Sequence, residues 1–242
     1  MNILILGYGK MGKTIEQLAI ERGHTIVAKV DVDKRDEILE NLKPEEVDVA
    51  IEFTQPDAAP FNIRYCLKNN IPVVSGTTGW LQEKSAIEDY CIEQNGTFFY
   101  ASNFSIGVNI FFRLNEILAG IMNAYPDYKP SMEEIHHTQK KDAPSGTAIT
   151  LAEGMLKSLD TKNDWHLEEQ AAEGSGQSIA ITSKREGEVP GTHIVKYQSE
   201  IDTIEIKHEA HTRKGFALGA VLVAEWIKNK KGILGMHDFI KF

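Results

Sequence analysis

The segment Ile3-Leu4-Ile5-Leu6-Gly7-Tyr8-Gly9-Lys10-Met11-Gly12 decides the fold of this chain. A short apolar run leads into the pattern G-x-G-x-x-G, and apolar residues then recur at the spacing of a helix. A second strand-like segment follows and ends in Asp31, nineteen residues after Gly12. Strand, glycine-rich turn, helix, strand and acid, in this order, predict a Rossmann-like dinucleotide-binding unit.

The glycine-rich turn predicts a cofactor site. Gly7 permits the tight turn, Gly9 lets a pyrophosphate approach the backbone, and Gly12 lets helix and strand pack closely. An acid at position 31 favours NAD, because it can accept hydrogen bonds from the ribose. Lysines and an arginine nearby could meet a 2′-phosphate or form a solvated turn, so NADH and NADPH both stay open. The predicted contacts are Gly7, Tyr8, Gly9, Lys10, Met11, Gly12 and Asp31, with Lys34 and Arg35 as candidate phosphate partners.

Strand-like and helix-like segments alternate as far as residue 100. Residues 47–54, 71–75 and 97–100 have the composition of strands, and residues 58–69 and 85–95 that of helices. Ligands of open parallel sheets bind at the carboxyl ends of strands, although ordinary turns have a similar composition. The polar segments at these ends are therefore further candidate cofactor contacts: Phe53 and Thr54; Gly76, Thr77 and Thr78; and Ala101, Ser102, Asn103 and Phe104.

The pattern changes after residue 107. Helices are predicted at 108–124 and from 146 to about 159, strands at 131–137, 178–184, 193–198 and 203–208, and a loop at 160–177. A last helix, 215–230, presents Leu218, Val221, Leu222 and Trp226 on one face.

These patterns predict an α/β protein with two domains. A Rossmann-like, doubly wound parallel sheet is expected from residues 1–103 with 216–242. Residues 104–215 are expected to form an α+β, substrate-binding domain with a mixed, open sheet. This sheet could pair with copies of itself, which would make the domain an oligomerisation domain as well.

Residues 134–148 contain several groups that are candidates for binding or catalysis. His136, His137, Lys140 and Lys141 precede Asp-Ala-Pro-Ser-Gly-Thr and a helical pattern. Ser145 is placed as an N-cap, which leaves the next two amides, of Gly146 and Thr147, to attract an anion. Each piece alone is usually solvated surface or a helix start. Their joint occurrence predicts a site for an anionic small molecule with a proton donor beside it.

Composition excludes several classes of protein. A net charge of −9 argues against nucleic acid as the main partner. The two cysteines, Cys66 and Cys91, lack metal-ligand spacing, so no metal is predicted and a reducing cytosol suits them. The start of the chain has no basic leader, and no apolar run approaches the ~20 residues of a membrane span. A cytoplasmic protein without a membrane partner is expected.

The run His136-x-x-x-Lys140-x-Asp142-Ala143-Pro144-Ser145-Gly146-Thr147-Ala148 resembles the signature of the 4-hydroxy-tetrahydrodipicolinate (dihydrodipicolinate) reductase family. The resemblance extends over nearly the whole chain. It includes the glycine-rich turn, Phe53-Thr54, residues 76–79 and 103–109, and Arg185 through His193.

The resemblance implies residue roles. His136 is implied as a proton donor and acceptor and Lys140 as a proton donor, while His137, Gly146 and Thr147 are implied as contacts to substrate carboxylates. The implied reaction gives tetrahydrodipicolinate and water by hydride transfer from NADH or NADPH, in lysine and diaminopimelate biosynthesis. The implied substrate is a cyclic dicarboxylate, and the implied assembly is a homotetramer.

The chain departs from the family pattern at a few positions. Val32 follows Asp31 where some members have an arginine for the 2′-phosphate, which puts NADP preference in doubt. Ser102 replaces a common alanine or proline, Ser131-Met132 replaces an acidic and β-branched pair, and the chain is compact for the family.

Two other functions share parts of this pattern: a different dehydrogenase with a similar split plan, acting on an amino acid or a semialdehyde, and a nucleotide-sensing protein. A semialdehyde dehydrogenase needs a cysteine nucleophile, but both cysteines fall in predicted helices of the cofactor domain. A nucleotide-sensing protein without catalysis has no need of the histidine and lysine cluster. The sequence therefore favours the reductase.

Overall fold

A computed structural model of the protein describes residues 1–170, 176–212 and 214–241. The chain forms two compact units, one from Met1–Ile106 with Lys214–Phe242 and the other from Gly107–Arg213. The corresponding boundaries predicted from the sequence are 103 and 216.

The first unit is built on a six-stranded sheet whose paired strands all run parallel. The strands are β1 (Asn2–Leu6), β2 (Thr25–Val30), β3 (Val49–Glu52), β4 (Val73–Ser75), β5 (Thr97–Tyr100) and β11 (Gly232–Leu234). They lie in the order β11-β5-β4-β3-β1-β2. The Rossmann-like, doubly wound sheet is therefore confirmed, with β11 added beyond the predicted strands.

Both faces of this sheet are buried, which explains why β1 reads as an unbroken apolar run. Ile3 and Ile5 belong to one apolar core, whereas Leu4 and Leu6 belong to a second core on the opposite face. The helices of the unit are α1 (Lys10–Glu21), α2 (Arg35–Asn41), α3 (Ala59–Lys68), α4 (Lys84–Glu93), α7 (Lys214–Ile227) and α8 (Met236–Phe239).

Helix α7 packs through small residues, which corrects the predicted apolar face. Of the four side chains expected there, Val221 is fully buried, but Leu218 is 36% exposed. The approach is so close that a Cβ atom at Gly219 would lie 1.8 Å from the carbonyl oxygen of Phe104. The helical spacing of large apolar residues predicted the buried face. The buried residues of α7 instead include the small residues Ala217, Gly219, Ala220 and Ala224, because the helix packs closely.

The second unit is built on a mixed, five-stranded sheet with two long helices. Its elements are α5 (Ile106–Met122), β6 (Lys129–His136), α6 (Gly146–Leu156), β7 (Asp164–Leu167), β8 (Ser178–Arg185), β9 (Thr192–Gln198) and β10 (Thr203–Glu209). The strand order is β10-β9-β6-β8-β7. β8 runs parallel to β6 and β7, and β9 runs antiparallel to β6 and β10. The predicted mixed, open sheet is confirmed.

The predicted loop at 160–177 is partly wrong. It contains β7, followed by a 3₁₀ turn at Glu168–Gln170, and residues 171–175 of this prediction lie outside the described residues. Trp165 and Leu167 pack against the core of the second unit, and alternate with polar residues. This short edge strand was hidden by its polar, glycine-rich neighbourhood.

In the part of the chain that the structure describes, none of the helices is long and apolar enough to cross a membrane.

Candidate functional site

A cavity of about 160 Å³ lies at the carboxyl ends of β1, β2 and β3. The strand order reverses between β1 and β3, and such a reversal is where open α/β sheets bind ligands. The cavity is lined by residues that include Gly7, Tyr8, Gly9, Asp31, Arg35, Phe53 and Thr54. The predicted turn and the predicted acid therefore border one cavity.

Two glycines of the turn are required by packing. Gly7 has φ +94°, and a Cβ atom there would lie 1.9 Å from the carbonyl oxygen of Phe53. A Cβ atom at Gly12 would lie 2.1 Å from the carbonyl oxygen of Gly7. At Gly9 a Cβ atom would meet no atom within 4 Å. The backbone at Gly9 is thus accessible, which fits the predicted approach of a pyrophosphate.

The remaining residues of the turn start α1. Lys10, Met11 and Gly12 form its first turn, with Gly9 as the N-cap. The Tyr8 hydroxyl donates a hydrogen bond to Glu16, and the Lys29 ammonium lies 4.9 Å from the centre of the Tyr8 ring. Side chains of α1 and β2 thus position the Tyr8 ring, which lines the cavity.

Arg35 brings a cation to this cavity. Its guanidinium lies 4.2 Å from the centre of the Phe61 ring, and its Nε donates to Asp36 at 2.8 Å. Two predicted cations follow Asp31 in the sequence. Arg35 borders the cavity, and Lys34, the residue before it, ends a 3₁₀ turn.

Glu52 joins two of the predicted cofactor segments. Its carboxylate is fully buried and accepts hydrogen bonds from the Thr54 backbone and hydroxyl, from Ser75 Oγ at 2.6 Å and from Thr77 Oγ1 at 2.8 Å. Thr54 N also donates to Thr77 Oγ1 at 2.8 Å. The ends of β3 and β4 are thereby fixed together. Gly76 follows β4 and lies against the Phe53 ring, where a Cβ atom would clash at 2.2 Å, and Thr78 comes next in the chain.

The segment after β5 lies beside the same strand ends. Ala101 N donates to the Ser75 carbonyl at 3.3 Å, and Asn103 Oδ1 accepts from Ser105 N at 2.9 Å. The Phe104 ring is buried with its centre 5.5 Å from that of Phe53. Ser102, between them, is exposed. The structure therefore brings this segment to the ends of β3 and β4, where it packs against Phe53 of the cavity lining.

In the second unit, β6 and the start of α6 carry the predicted anion site. Ser145 is the N-cap of α6, since its Oγ accepts a hydrogen bond from Ala148 N at 3.2 Å. A Cβ atom at Gly146 would meet no atom within 4 Å, so the backbone of the first turn is accessible. Thr147 is half-buried in that turn. The N-cap expected from the sequence is confirmed.

His136 is the last residue of β6 and is buried. Its Nδ1 atom lies 3.4 Å from Glu134 Oε2, and its ring centre lies 5.0 Å from that of His193, edge to face. Beyond β6, which ends one residue before the predicted strand end, the chain forms a loop in which Lys140 Nζ donates to both oxygens of Asp142 at 2.7 and 2.8 Å. His137 is half-buried at the start of this loop.

The two halves of the chain match two family models. The model described as dihydrodipicolinate reductase, N-terminus, matches residues 1–104, and the model described as dihydrodipicolinate reductase, C-terminus, matches residues 107–240. This chain belongs to the dihydrodipicolinate reductase family. The predicted family is confirmed, and so is the predicted class of enzyme, an oxidoreductase that uses NADH or NADPH.

Curated relatives and a solved structure agree with this membership. The chain is 51% identical to 4-hydroxy-tetrahydrodipicolinate reductase of Christiangramia forsetii, over 99% of this chain and 98% of that protein. It is 36% identical to the protein of the same name from Thermosipho africanus, over 100% and 98% of the two chains. The dipicolinate-bound dihydrodipicolinate reductase from Paenisporosarcina sp. TG-14 has the same fold, with a TM-score of 0.77, 23% identity and 99% coverage of both chains.

Two residues at the site of this reductase were missed as candidates by sequence reasoning. His193 lies on β9, and its Nε2 is 3.1 Å from the hydroxyl of the N-cap Ser145. Glu134 lies two residues before His136 and is fully buried. In the sequence both are single residues in alternating strands, and the pairing of β6 with β9 sets them opposite each other.

Burial sets the charge of the two histidines. It is the largest cause, followed by the charge of the neighbouring His136, of a pKa of His193 that is lowered to about 4. Burial also lowers the pKa of His136, although the Glu134 carboxylate opposes that effect. Burial disfavours the ionised form of Glu134, but hydrogen bonds from Ser145 and Ser183 and the charge of His136 hold its pKa below the usual value. At neutral pH the site therefore combines a carboxylate with two largely neutral imidazoles.

Glu134, His136 and His193 have the residue types of a metal site, with ligand atoms within 4.8 Å of one another. The Glu134 oxygens, however, already accept from Ser145 and Ser183, and Arg185 lies 3.2 Å away. Binding of a cation there would break these hydrogen bonds to Glu134, and the positive charge of the Arg185 guanidinium would repel the cation. The expectation that the protein binds no metal stays a prediction.

Proposed function

We propose that this chain reduces (2S,4S)-4-hydroxy-2,3,4,5-tetrahydrodipicolinate to (S)-2,3,4,5-tetrahydrodipicolinate and water, a step of lysine and diaminopimelate biosynthesis. The observation that carries the proposal is the arrangement in the second unit. A buried histidine ends β6, and the chain returns at once to an accessible helix N-terminus, with a lysine in the loop between them. A proton donor and an anion site are what reduction of a cyclic dicarboxylate requires.

The first unit has the features of a dinucleotide site. Asp31 is placed to accept from the adenosine ribose, and the accessible backbone at Gly9 with the first turn of α1 suits a pyrophosphate. Arg35 adds a cation that a 2′-phosphate could use. The bound nicotinamide supplies the hydride, and the chain supplies binding and orientation.

The start of α6 serves one substrate carboxylate in this proposal. The backbone N–H groups of Gly146 and Thr147 point out of the helix N-terminus, where the helix dipole favours negative charge. Gly146 leaves the space above them clear. His137 and Lys140, in the loop that leads to this helix, are the proposed partners of the carboxylates.

Proton transfer is the task of His136 and Lys140 in this proposal. In net terms a hydride replaces the hydroxyl group, and a proton departs with that group as water. His136 is placed to exchange this proton and Lys140 to donate one while it holds a carboxylate. Positioned proton transfer typically contributes ~10²–10⁴ in rate. Lys140 is paired with Asp142, so an incoming carboxylate has to compete with Asp142.

Two broader expectations belong to the same proposal. A homotetramer is supported by exposed apolar side chains at the β9–β10 hairpin, where Ile201 is 92% exposed and Ile204 on the edge strand β10 is 39% exposed. Light scattering coupled to size exclusion would test it. A cytoplasmic location is supported by two cysteines that are free and buried.

A cysteine-dependent semialdehyde dehydrogenase is disfavoured. Cys66 and Cys91 lie in α3 and α4, as predicted, and both are buried. Burial raises the pKa of each thiol, which suppresses the thiolate that nucleophilic catalysis needs.

A coupled assay tests the proposed function. The hydroxylated substrate is generated in place, and the fall of nicotinamide absorbance is followed with NADH and with NADPH. Substrate-dependent oxidation of either cofactor is expected. Oxidation that depends equally on unrelated aldehydes or 2-oxo acids, or on no substrate at all, would reject the assignment.

A further inference from the structure

Glu134 is a buried carboxylate that three hydrogen-bond donors from two segments of the chain hold in place. The Ser145 N–H, just before α6, lies 3.1 Å from each of its oxygens. Ser183 Oγ and Arg185 Nη2, both on β8, donate to Oε1 at 2.9 and 3.2 Å. A carboxylate is costly to bury unless such donors satisfy it. The number of donors shows that this side chain is fixed as an anion at one position.

The opposite oxygen of Glu134 faces His136. Oε2 lies 3.4 Å from Nδ1 of His136, and this nitrogen is buried and has no hydrogen-bond partner in that geometry. The other nitrogen, Nε2, faces Gly191, where a Cβ atom would lie only 3.1 Å away. The ring is thus confined between a carboxylate and a glycine. Hydrogen bonds of catalytic groups are often long without substrate and tighten in the complex.

We propose that Glu134 is a positioning residue of the reductase, which acts through His136 and through the N-terminus of α6. Its carboxylate holds the Nδ1 side of the imidazole and balances the positive charge that the ring carries when it is protonated. The same carboxylate fixes the amide of Ser145 and thereby the start of the anion-binding helix. The inference rests on the proposed role of His136 in proton transfer.

The charged groups around His136 determine in which direction the loss of the Glu134 charge shifts the pKa of His136. Glu134 faces the ring from β6, Lys140 and Asp142 from the following loop, Arg185 from β8 and His193 from β9. Burial lowers the pKa of His136, the cations at Lys140 and Arg185 lower it further, and Glu134 and Asp142 oppose this. Removal of the Glu134 charge leaves the two cations with less compensation. The imidazole then loses its proton at lower pH.

The decisive variant is Glu134→Gln, which removes the charge and keeps the shape and one acceptor. The matched control is Glu133→Gln, the adjacent residue of β6, whose carboxylate pairs with Lys184 at 2.9 Å. The His136 pKa is measured by NMR titration of the imidazole protons, with the signal assigned from His136→Gln. We expect a decrease of about one unit or more in Glu134→Gln, the size typical of a nearby opposite charge, and no change in the control.

Kinetics give the second measurement. If protonated His136 is required, kcat/KM falls as pH rises through its pKa, and in Glu134→Gln this fall moves to lower pH by the same amount as the NMR titration. A higher substrate KM is also expected, since the start of α6 loses the ionised acceptor of Ser145 N–H. NADH affinity stays unchanged. A merely structural role would lower activity at every pH and leave the profile where it was.

Two results would overturn the inference: a His136 pKa in Glu134→Gln that matches the control, or an unmoved pH profile in an active variant. If Glu134→Gln does not fold, Glu134→Asp provides the test, because it keeps the charge but moves it away from Nδ1. A smaller decrease of the His136 pKa is then expected, and no decrease would reject the inference. The NMR titration needs no substrate, so failure of the proposed reaction would be seen separately, in the wild-type assay.

Discussion

The guanidinium of Arg35 stacks on the ring of Phe61, at 4.2 Å from its centre, and borders the same cavity as Asp31. The cavity thus combines an acid suited to ribose hydroxyls with a cation suited to a phosphate. A guanidinium held on an aromatic face is already oriented before a ligand arrives. We therefore propose that Asp31 and Arg35 together let one site take both NADH and NADPH, although Val32 occupies the position next to Asp31.

The first prediction concerns cofactor preference. Arg35→Ala is expected to lower kcat/KM for NADPH by about tenfold, the value of one modest interaction with a charged group, and to leave kcat/KM for NADH nearly unchanged. Steady-state kinetics with each cofactor measures this, and Lys43→Ala, at an exposed ion pair with Glu46, is the control and is expected to change neither value. A wild-type enzyme that is inactive with NADH would contradict the prediction, as would equal losses with both cofactors.

The second prediction concerns Glu52. Glu52→Gln replaces an acceptor of several hydrogen bonds by a group that also donates, so the hydroxyls of Ser75 and Thr77 have to reorient. The ends of β3 and β4 are expected to loosen, which raises KM for NADH several-fold and leaves substrate KM unchanged. Glu46→Gln, at an exposed ion pair with Lys43, is the matched control. An unchanged NADH KM together with a normal Tm would show that the strand ends do not depend on this carboxylate.

The first unit was predictable because its signals are local. The G-x-G-x-x-G pattern lies within residues 7–12 and directly follows the unbroken apolar run of β1, and Gly12 is required by the carbonyl oxygen of Gly7, although the contact that requires Gly7 is with the distant Phe53. The N-cap at Ser145 is equally local, since its partner is three residues ahead. The structure of such segments is determined largely by residues that are close together in the sequence.

Other features depend on contacts that the sequence does not display. Glu134 meets Ser183 only because β6 pairs with β8, and His193 meets Ser145 only because β6 pairs with β9. The small-residue face of α7 is likewise set by its approach to Phe104. Strand β7 went unpredicted because four residues in polar surroundings give little periodicity. Tertiary pairing decides such cases.

The third prediction concerns stability and pH. His193 has a pKa of about 4 in the folded protein against a usual value of 6.5, so as pH falls the unfolded chain takes up this proton first. Neutral His193 therefore makes its full contribution to the free energy of unfolding above pH 6.5. This contribution is lost as the pH falls from 6.5 to about 4, and the loss is on the order of 3 kcal/mol. In His193→Gln the pH dependence between pH 7 and 4 is expected to be smaller by roughly that amount.

Urea unfolding at a series of pH values measures this difference. Groups distant from His193 titrate alike in both proteins, so the comparison reports residue 193 together with its electrostatic coupling to His136 and Glu134. His237→Gln, at an 85% exposed side chain, is the control and is expected to unfold like the wild type at every pH. Parallel curves for the wild type and His193→Gln would show that His193 keeps its ordinary pKa in the folded state.

The fourth prediction concerns the anion site. In the proposed site the Thr147 hydroxyl donates to the same substrate carboxylate as the backbone N–H groups. Thr147→Ala removes only this hydroxyl and is expected to weaken substrate binding by ~1.5–3 kcal/mol, the usual cost of losing a hydrogen bond to a charged group, and to leave NADH binding unchanged. The control is Thr150→Ala, in the next turn of α6, whose hydroxyl donates to the Gly146 carbonyl at 2.9 Å. Substrate KM and NADH Kd are the two measurements. Loss of NADH affinity with normal substrate affinity would mean that this helix end serves the cofactor.

The fifth prediction separates the two proton-transfer candidates, because their positions differ. His136 is buried at a strand end, whereas Lys140 is in an adjoining loop and already holds a carboxylate, that of Asp142. His136→Gln is therefore expected to lower kcat with little change in substrate KM. Lys140→Ala is expected to lower kcat and raise KM, since it removes binding as well as proton donation. Lys184→Ala, at an exposed ion pair on β8, is the matched control and keeps both constants.

The double variant His136→Gln/Lys140→Ala is the strictest form of this test. Groups that act on one reaction step are not additive, so its kcat is expected to lie close to that of the poorer single variant rather than at the product of the two losses. NADH binding, measured by fluorescence, is expected to persist, because neither residue belongs to the unit that contains the glycine-rich turn. A folded double variant that binds NADH and turns over substrate at nearly the wild-type rate would place the proton chemistry on other residues. In that case β6 and α6 would only frame the substrate, and the pH profile of kcat/KM would have to be assigned to groups outside this loop.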